Sequence, residues 1–207
     1  MIKINYTVSL GSFCHTATFL KNNGFKKESY PFDWIVTTPE LILNILNDNF
    51  KLLLDKSQFI PVNNNICGHK IYGKQFFLHF NLLNGGTYEY YKRCVQRFAT
   101  LLKKEEPKLF ILTLINSKNI INNKQRFYKI NKKLKELSNN YYILIINCVY
   151  KPDRSTIFNL TKEGNIFFID FFTLGDNQGD GFASMDDTNN YKKIILEFFD
   201  IDTFKLV

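Results

Sequence analysis

Apolar residues follow two rhythms along this chain. Three nearly continuous runs, Leu109–Ile115, Tyr142–Val149 and Ile166–Phe172, have the length and composition of strands buried on both faces. Helical spacing governs Tyr88–Lys104, where Tyr91, Val95, Phe98 and Leu102 recur on one side. It also governs Gln125–Ser138, through Ile130, Leu134 and Leu137. A first strand is expected from Ile4 to Leu10, ending at Gly11. A helix over Thr16–Asn22 should follow, with Ser12 as N-cap and Gly24 as its stop. Thr38-Pro39-Glu40 opens another helix reaching about Asp48, with Thr as cap, Pro at the first position and Glu in the first turn. Gln75–Phe80 reads as a Phe-rich strand broken by Gly85-Gly86, Asn63–Asn65 as a turn, and Asn189–Phe199 as a closing helix.

Strands and helices therefore alternate, which predicts a single three-layer α/β domain over residues 1–207, its mostly parallel sheet flanked by helices. Its 207 residues suffice for one sizeable core, and neither an internal repeat nor a linker interrupts them.

Composition changes this picture little. The chain holds 21 Phe, 11 Tyr and one Trp, together with abundant Asn, Ile and Lys, all residues with AT-rich codons. The formal charge of +8 permits an anionic partner. The pairs Lys26-Lys27, Lys103-Lys104, Lys132-Lys133 and Lys192-Lys193 are dispersed, and no Arg-rich stretch interleaves with aromatics, so nucleic-acid binding is not expected. MIKINYTVSL lacks the apolar core of a signal peptide, and no run has transmembrane length. Cys14, Cys67, Cys94 and Cys148 form no C-x-x-C pair, so no metal site is expected and the thiols should be reduced in a cytoplasmic setting. No G-x-G-x-x-G or P-loop signature calls for a cofactor.

Chemistry in such a sheet belongs at the carboxyl ends of the strands. There the sequence offers Gly11-Ser12-Phe13-Cys14, His79, Asn116, Asn147-Cys148 and Asp170. Cys14 falls where a strand turns into a helix; unpaired amides and the helix dipole there favour a thiolate. Gly11 permits the tight turn, and amides around Gly11–Cys14 are candidates for an oxyanion hole. The plain alternative is a small buried hydrophobe. His79 is the candidate general base, against the alternative of a core histidine satisfied by a carbonyl. His69 is the reserve, and His15 points elsewhere on the helix. Asp33 and Asp170 are the candidate orienting acids. Asp176, Asp180, Asp186 and Asp187 belong to a Gly- and Asp-rich region whose GDNQGDG lacks a calcium-loop pattern and reads as a flexible loop or lid. Arg93 and Arg97, four apart on one helix face, either clamp a carboxylate or phosphate or pair structurally with Asp33 or Glu89. Cys67, Cys94 and Cys148 read as packing residues, and Trp34 as core.

Four stretches, S-L-G-S-x-C (Ser9–Cys14), S-Y-P-F-D-W (Ser29–Trp34), F-x-H-F (Phe77–Phe80) and Y-x-R-C-V-x-R-F (Tyr91–Phe98), occur in this order. In them the chain resembles the papain-like cysteine peptidase family, a domain of unknown function found in bacteria and large DNA viruses. Weaker echoes extend to Lys108–Thr113 and Gly181–Ile195. The resemblance implies Cys14 as nucleophile and His79 as base. It also implies a papain-like α+β fold, with the cysteine on a long helix and the histidine on an antiparallel sheet, and a location in host cytoplasm or a virion if the source is viral. The expected function is a thiol-dependent hydrolase or acyl transferase acting on a peptide, acyl or glycan substrate. The competing expectations are a sugar- or nucleotide-binding enzyme of the doubly wound kind, with Ser12, Arg93 and Arg97 on the ligand, and a non-catalytic structural or virion module.

Overall fold

The rhythms of the sequence are realised as an alternating α/β chain, described here by a computed structural model covering residues 1–115, 124–179 and 181–203. β1 (Ile2–Ile4) and β2 (Tyr6–Ser9) lead into α1 (His15–Asn22), followed by α2 (Pro39–Asn47) and a small hairpin of β3 (Phe59–Pro61) and β4 (Cys67–His69). Then come α3 (Gly85–Leu102), β5 (Lys108–Ile115), α4 (Gln125–Leu137) and β6 (Tyr141–Tyr150). β7 (Phe158–Glu163), β8 (Ile166–Thr173), a short hairpin of β9 (Asn177–Gln178) and β10 (Gly181–Phe182), α5 (Met185–Phe198) and β11 (Phe199–Ile201) complete the order.

The principal sheet runs β2-β5-β6-β8-β7. Its first four strands are parallel, and β7 lies antiparallel at the edge. Because strand side chains alternate between faces, β5, β6 and β8 divide their apolar residues. Phe110, Leu112, Ile143, Ile145, Ile166 and Phe168 enter one buried cluster with residues of α2, α3 and α4. Leu109, Ile111, Leu144, Ile146, Phe167 and Ile169 enter a second with residues of α1 and α5. Phe98 of α3 is fully buried and meets the rings of Tyr30, Phe32, Phe50 and Phe110 at 5.6–6.3 Å.

Three local expectations give way. The first strand splits at Asn5: β1 pairs with β11, β2 with β5, and the Asn5 side chain donates to Asp202 at 3.2 Å. Gln75–Phe80 is not a strand. Phe76 and Phe77 both enter the same buried cluster, whereas a strand would send neighbouring side chains to opposite faces, and the chain there coils to allow it. Gly85-Gly86 opens α3 instead of breaking a strand, because the Asn84 side chain accepts from the amides of Gly86 and Thr87. The edge strand β7 escapes the sequence pattern, since its polar residues are mostly exposed and show no two-residue apolar period.

No described helix is long and apolar enough to cross a membrane.

Candidate active site

The turn after β2 is built from two consecutive residues in the left-handed region, Gly11 (φ +90°) and Ser12 (φ +83°). Gly11 has no alternative: a Cβ there would lie 2.4 Å from Thr37 Oγ1. Ser12 holds a conformation that costs a non-glycine residue about 1–2 kcal/mol. Thr37 latches it in place. Its hydroxyl accepts from the Ser12 amide at 2.8 Å and donates to the Leu10 carbonyl at 3.2 Å, while its own amide donates to the Ser12 carbonyl at 3.3 Å. The Gly11 amide is taken by Ser9 Oγ at 3.1 Å. Both amides of the turn are therefore engaged inside the protein.

Cys14, not Ser12, occupies the N-cap position of α1. The Cys14 side chain makes no capping hydrogen bond and no acidic residue stands in the first turn, so the helix itself sets no negative charge against its amide field there. Of the four free thiols, Cys67, Cys94 and Cys148 are buried, and burial pushes each of them up from the ordinary thiol value. Cys14 is half-buried, with Sγ 3.2 Å from the Gly179 carbonyl. Gly179 belongs to the tip of the β9–β10 hairpin, where a Cβ would come within 3.3 Å of the Phe13 ring. The hairpin thus leaves the carboxyl end of β8 and folds back onto the start of α1. Phe182 secures it, meeting His15 at 4.4 Å, Tyr191 at 5.1 Å and Phe171 at 5.6 Å.

Beneath α1 a buried hydroxyl chain joins three elements. Thr16 donates to Thr113 of β5 at 2.7 Å, and Thr113 lies 2.6 Å from the Tyr191 hydroxyl of α5. Burial raises the Tyr191 phenol above its usual value. A buried ion pair ties the return from β8 to α5. Asp187 meets Arg154 at 2.8 Å and accepts from the amides of Leu174 and Gly175 at 2.9–3.1 Å. No spacing in the sequence announces this pair, because its members stand 33 residues apart.

The Ser29–Trp34 box is organised by Asp33. Its fully buried carboxylate meets Lys26 Nζ at 2.5 Å and accepts from the Tyr30 amide at 2.7 Å. Burial raises its pKa, against the opposing pull of Lys26. Tyr91 donates to the Pro31 carbonyl at 2.5 Å, and Arg97 Nε to the Ser29 carbonyl at 3.1 Å, so α3 grips the same loop. The Lys26 ammonium also sits 5.0 Å from the centre of the half-buried Trp34 ring.

His79 is exposed on a loop, its ring edge-on to Trp34 at 6.0 Å. Two hydrogen bonds carry this segment toward the turn: Val36 N donates to Phe76 O at 3.0 Å, and the next amide, Thr37 N, donates to Ser12 O. His69 is fully buried on β4, not on a loop. Its Nδ1 accepts from the amides of Ile71 and Tyr72 at 3.2 Å, so Nε2 carries the proton and donates to the Leu52 carbonyl at 3.1 Å. Burial lowers its pKa, and it is a neutral structural residue. His15 is buried in ring contact with Phe182 and Tyr191.

Asp170 pairs across strands with Asn147, whose amide donates to it at 2.9 Å. It shares the strand face of Phe168, which packs with α2–α4, whereas α1 covers the opposite face. Arg97 is committed to Ser29 and to Cys94 Sγ at 3.0 Å, while Arg93 is exposed. Asn116 and Asp180 lie outside the described residues. Among the described residues no group of three or more His, Cys, Asp or Glu could hold a metal ion.

The sequence profile of a family described as "Putative papain-like cysteine peptidase" matches residues 5–151. No curated protein matches the chain, and no solved structure does.

Proposed function

Since the chain belongs to this family of "putative papain-like cysteine peptidases", we propose that it is a thiol-dependent hydrolase or acyl transferase acting on a peptide or other acyl substrate, with Cys14 as its nucleophile. One observation carries the reading: half-buried Cys14 stands at the N-cap position of α1, after the carboxyl end of a parallel strand, while the other three thiols are buried. The thiolate attacks the substrate carbonyl carbon, and a C–S bond forms as charge moves to the carbonyl oxygen. With the Gly11 and Ser12 amides already engaged, that oxygen is received by the first turn of α1. His79 takes the thiol proton and returns it to the leaving amine, and water then cleaves the thioester. Two features support His79 in this role: it is exposed, and its segment is hydrogen-bonded through Val36 and Thr37 to the Cys14 turn.

Asp33 acts as a positioning residue, fixing the loop that presents Trp34 to the imidazole. We rank it above Asp170, which faces the cluster on the other side of the sheet from α1. That division of the sheet's apolar residues between two clusters also supports the three-layer reading of the fold.

Alkylation by iodoacetamide, followed by peptide mapping, tests the assignment. Cys14 should label fastest of the four cysteines, since the other three thiols are buried. His79→Ala should slow labelling near neutral pH by at least about tenfold if the imidazole is the base. A Cys14 that stays unmodified in the folded protein while a buried thiol reacts defeats the proposal.

A further inference from the structure

A basic hollow of about 270 Å³ opens beside Trp34, with Lys21, Lys26, Glu28 and Tyr90 in its wall. A second, of about 360 Å³, continues along α3 past Arg93, Arg97 and Lys104. Glu28 lines both, so the two hollows adjoin. From Tyr90 to Thr100 the helix rises about 15 Å, at about 1.5 Å per residue. That length takes roughly four to five residues of extended chain at about 3.3 Å each.

The lining is strongly one-signed. Lys21 and Arg93 are exposed. Arg97 and Lys104 keep neutral hydrogen-bond partners, the Ser29 carbonyl and the Tyr6 hydroxyl. Lys26 is paired with Asp33, and Glu28 is the single carboxylate among the lining residues. The length argues against a lone phosphate, and clustered cations focus attraction on an anionic chain. The groove ends at Trp34, whose ring also carries His79.

Resting on the reading of Cys14 and His79 given above, we propose that this groove docks an acidic, extended polypeptide segment of the substrate, the chain continuing past Trp34 toward the thiol.

The experiment needs no turnover. Trp34 is the one tryptophan of the chain and stands in the groove wall, so its emission reports occupancy. Hexaglutamate should shift that emission saturably at low ionic strength, and raising the salt to about 0.5 M should weaken binding strongly. Lys21→Glu with Arg93→Glu, both at exposed positions, should weaken it at least about tenfold. Lys21→Gln with Arg93→Gln, the milder pair, should weaken it less, with unchanged circular dichroism. Absence of any response, equal binding of hexalysine, or indifference to the charge reversals overturns the proposal. So does tighter binding of a single-stranded oligonucleotide of equal charge, which reassigns the groove to nucleic acid. Failure here and failure of Cys14 alkylation are separate results.

Discussion

The Thr37 hydroxyl accepts the only hydrogen bond described for the buried Ser12 amide. Thr37→Val keeps the shape of the side chain but orphans that donor, which should cost about 1–3 kcal/mol. Denaturant unfolding will measure the loss, and Cys14 alkylation should lose its selectivity in the same variant. His69 gives a pH dependence of definite sign. Its folded pKa lies below the ordinary 6.5, so the unfolded chain binds the proton more readily. Its contribution is therefore present above 6.5 and is lost as pH falls through the folded value. His69→Gln should flatten the decline of stability between neutral and mildly acidic pH, compared with the parent in parallel urea titrations. At this scale the sequence reveals Cys14 and the need for a turn at Gly11, because strand-to-helix junctions are local. It cannot reveal Thr37 or Gly179, whose roles exist only once segments 25 and 165 residues away close on the turn.

Among elements, those built on strong periodicity were legible nearly to their ends. α2 begins at the Thr-Pro-Glu signal, and β5, β6 and β8 coincide with the apolar runs. The Phe-rich segment misled because aromatic residues suit strands and core loops equally well, and only tertiary packing decides between them. The loop read as a possible lid forms the β9–β10 hairpin, anchored by Phe182 against His15 and Tyr191. Phe182→Ala removes that anchor and should speed Cys14 alkylation several-fold without altering the helical circular dichroism. An unchanged rate would mean that the hairpin does not limit access to the thiol.

Over the whole molecule, one sheet is shared by two apolar clusters, so damage on either face should be felt everywhere. Phe98→Ala opens the first cluster and should cost about 3–5 kcal/mol, and Ile195→Ala opens the second at about 2–5 kcal/mol. Each variant should still unfold in one step, with Trp34 fluorescence and far-ultraviolet circular dichroism coincident. Two separated transitions would show that the faces melt independently.

The family match ends at residue 151, whereas the carbonyl lying against Cys14 belongs to Gly179. The reactive group and its shield are thus written in different parts of the gene. The β9–β10 hairpin stands on the return from β8 to α5, so a substitution there alters the cover of the thiol and leaves the Gly11–Ser12 turn intact.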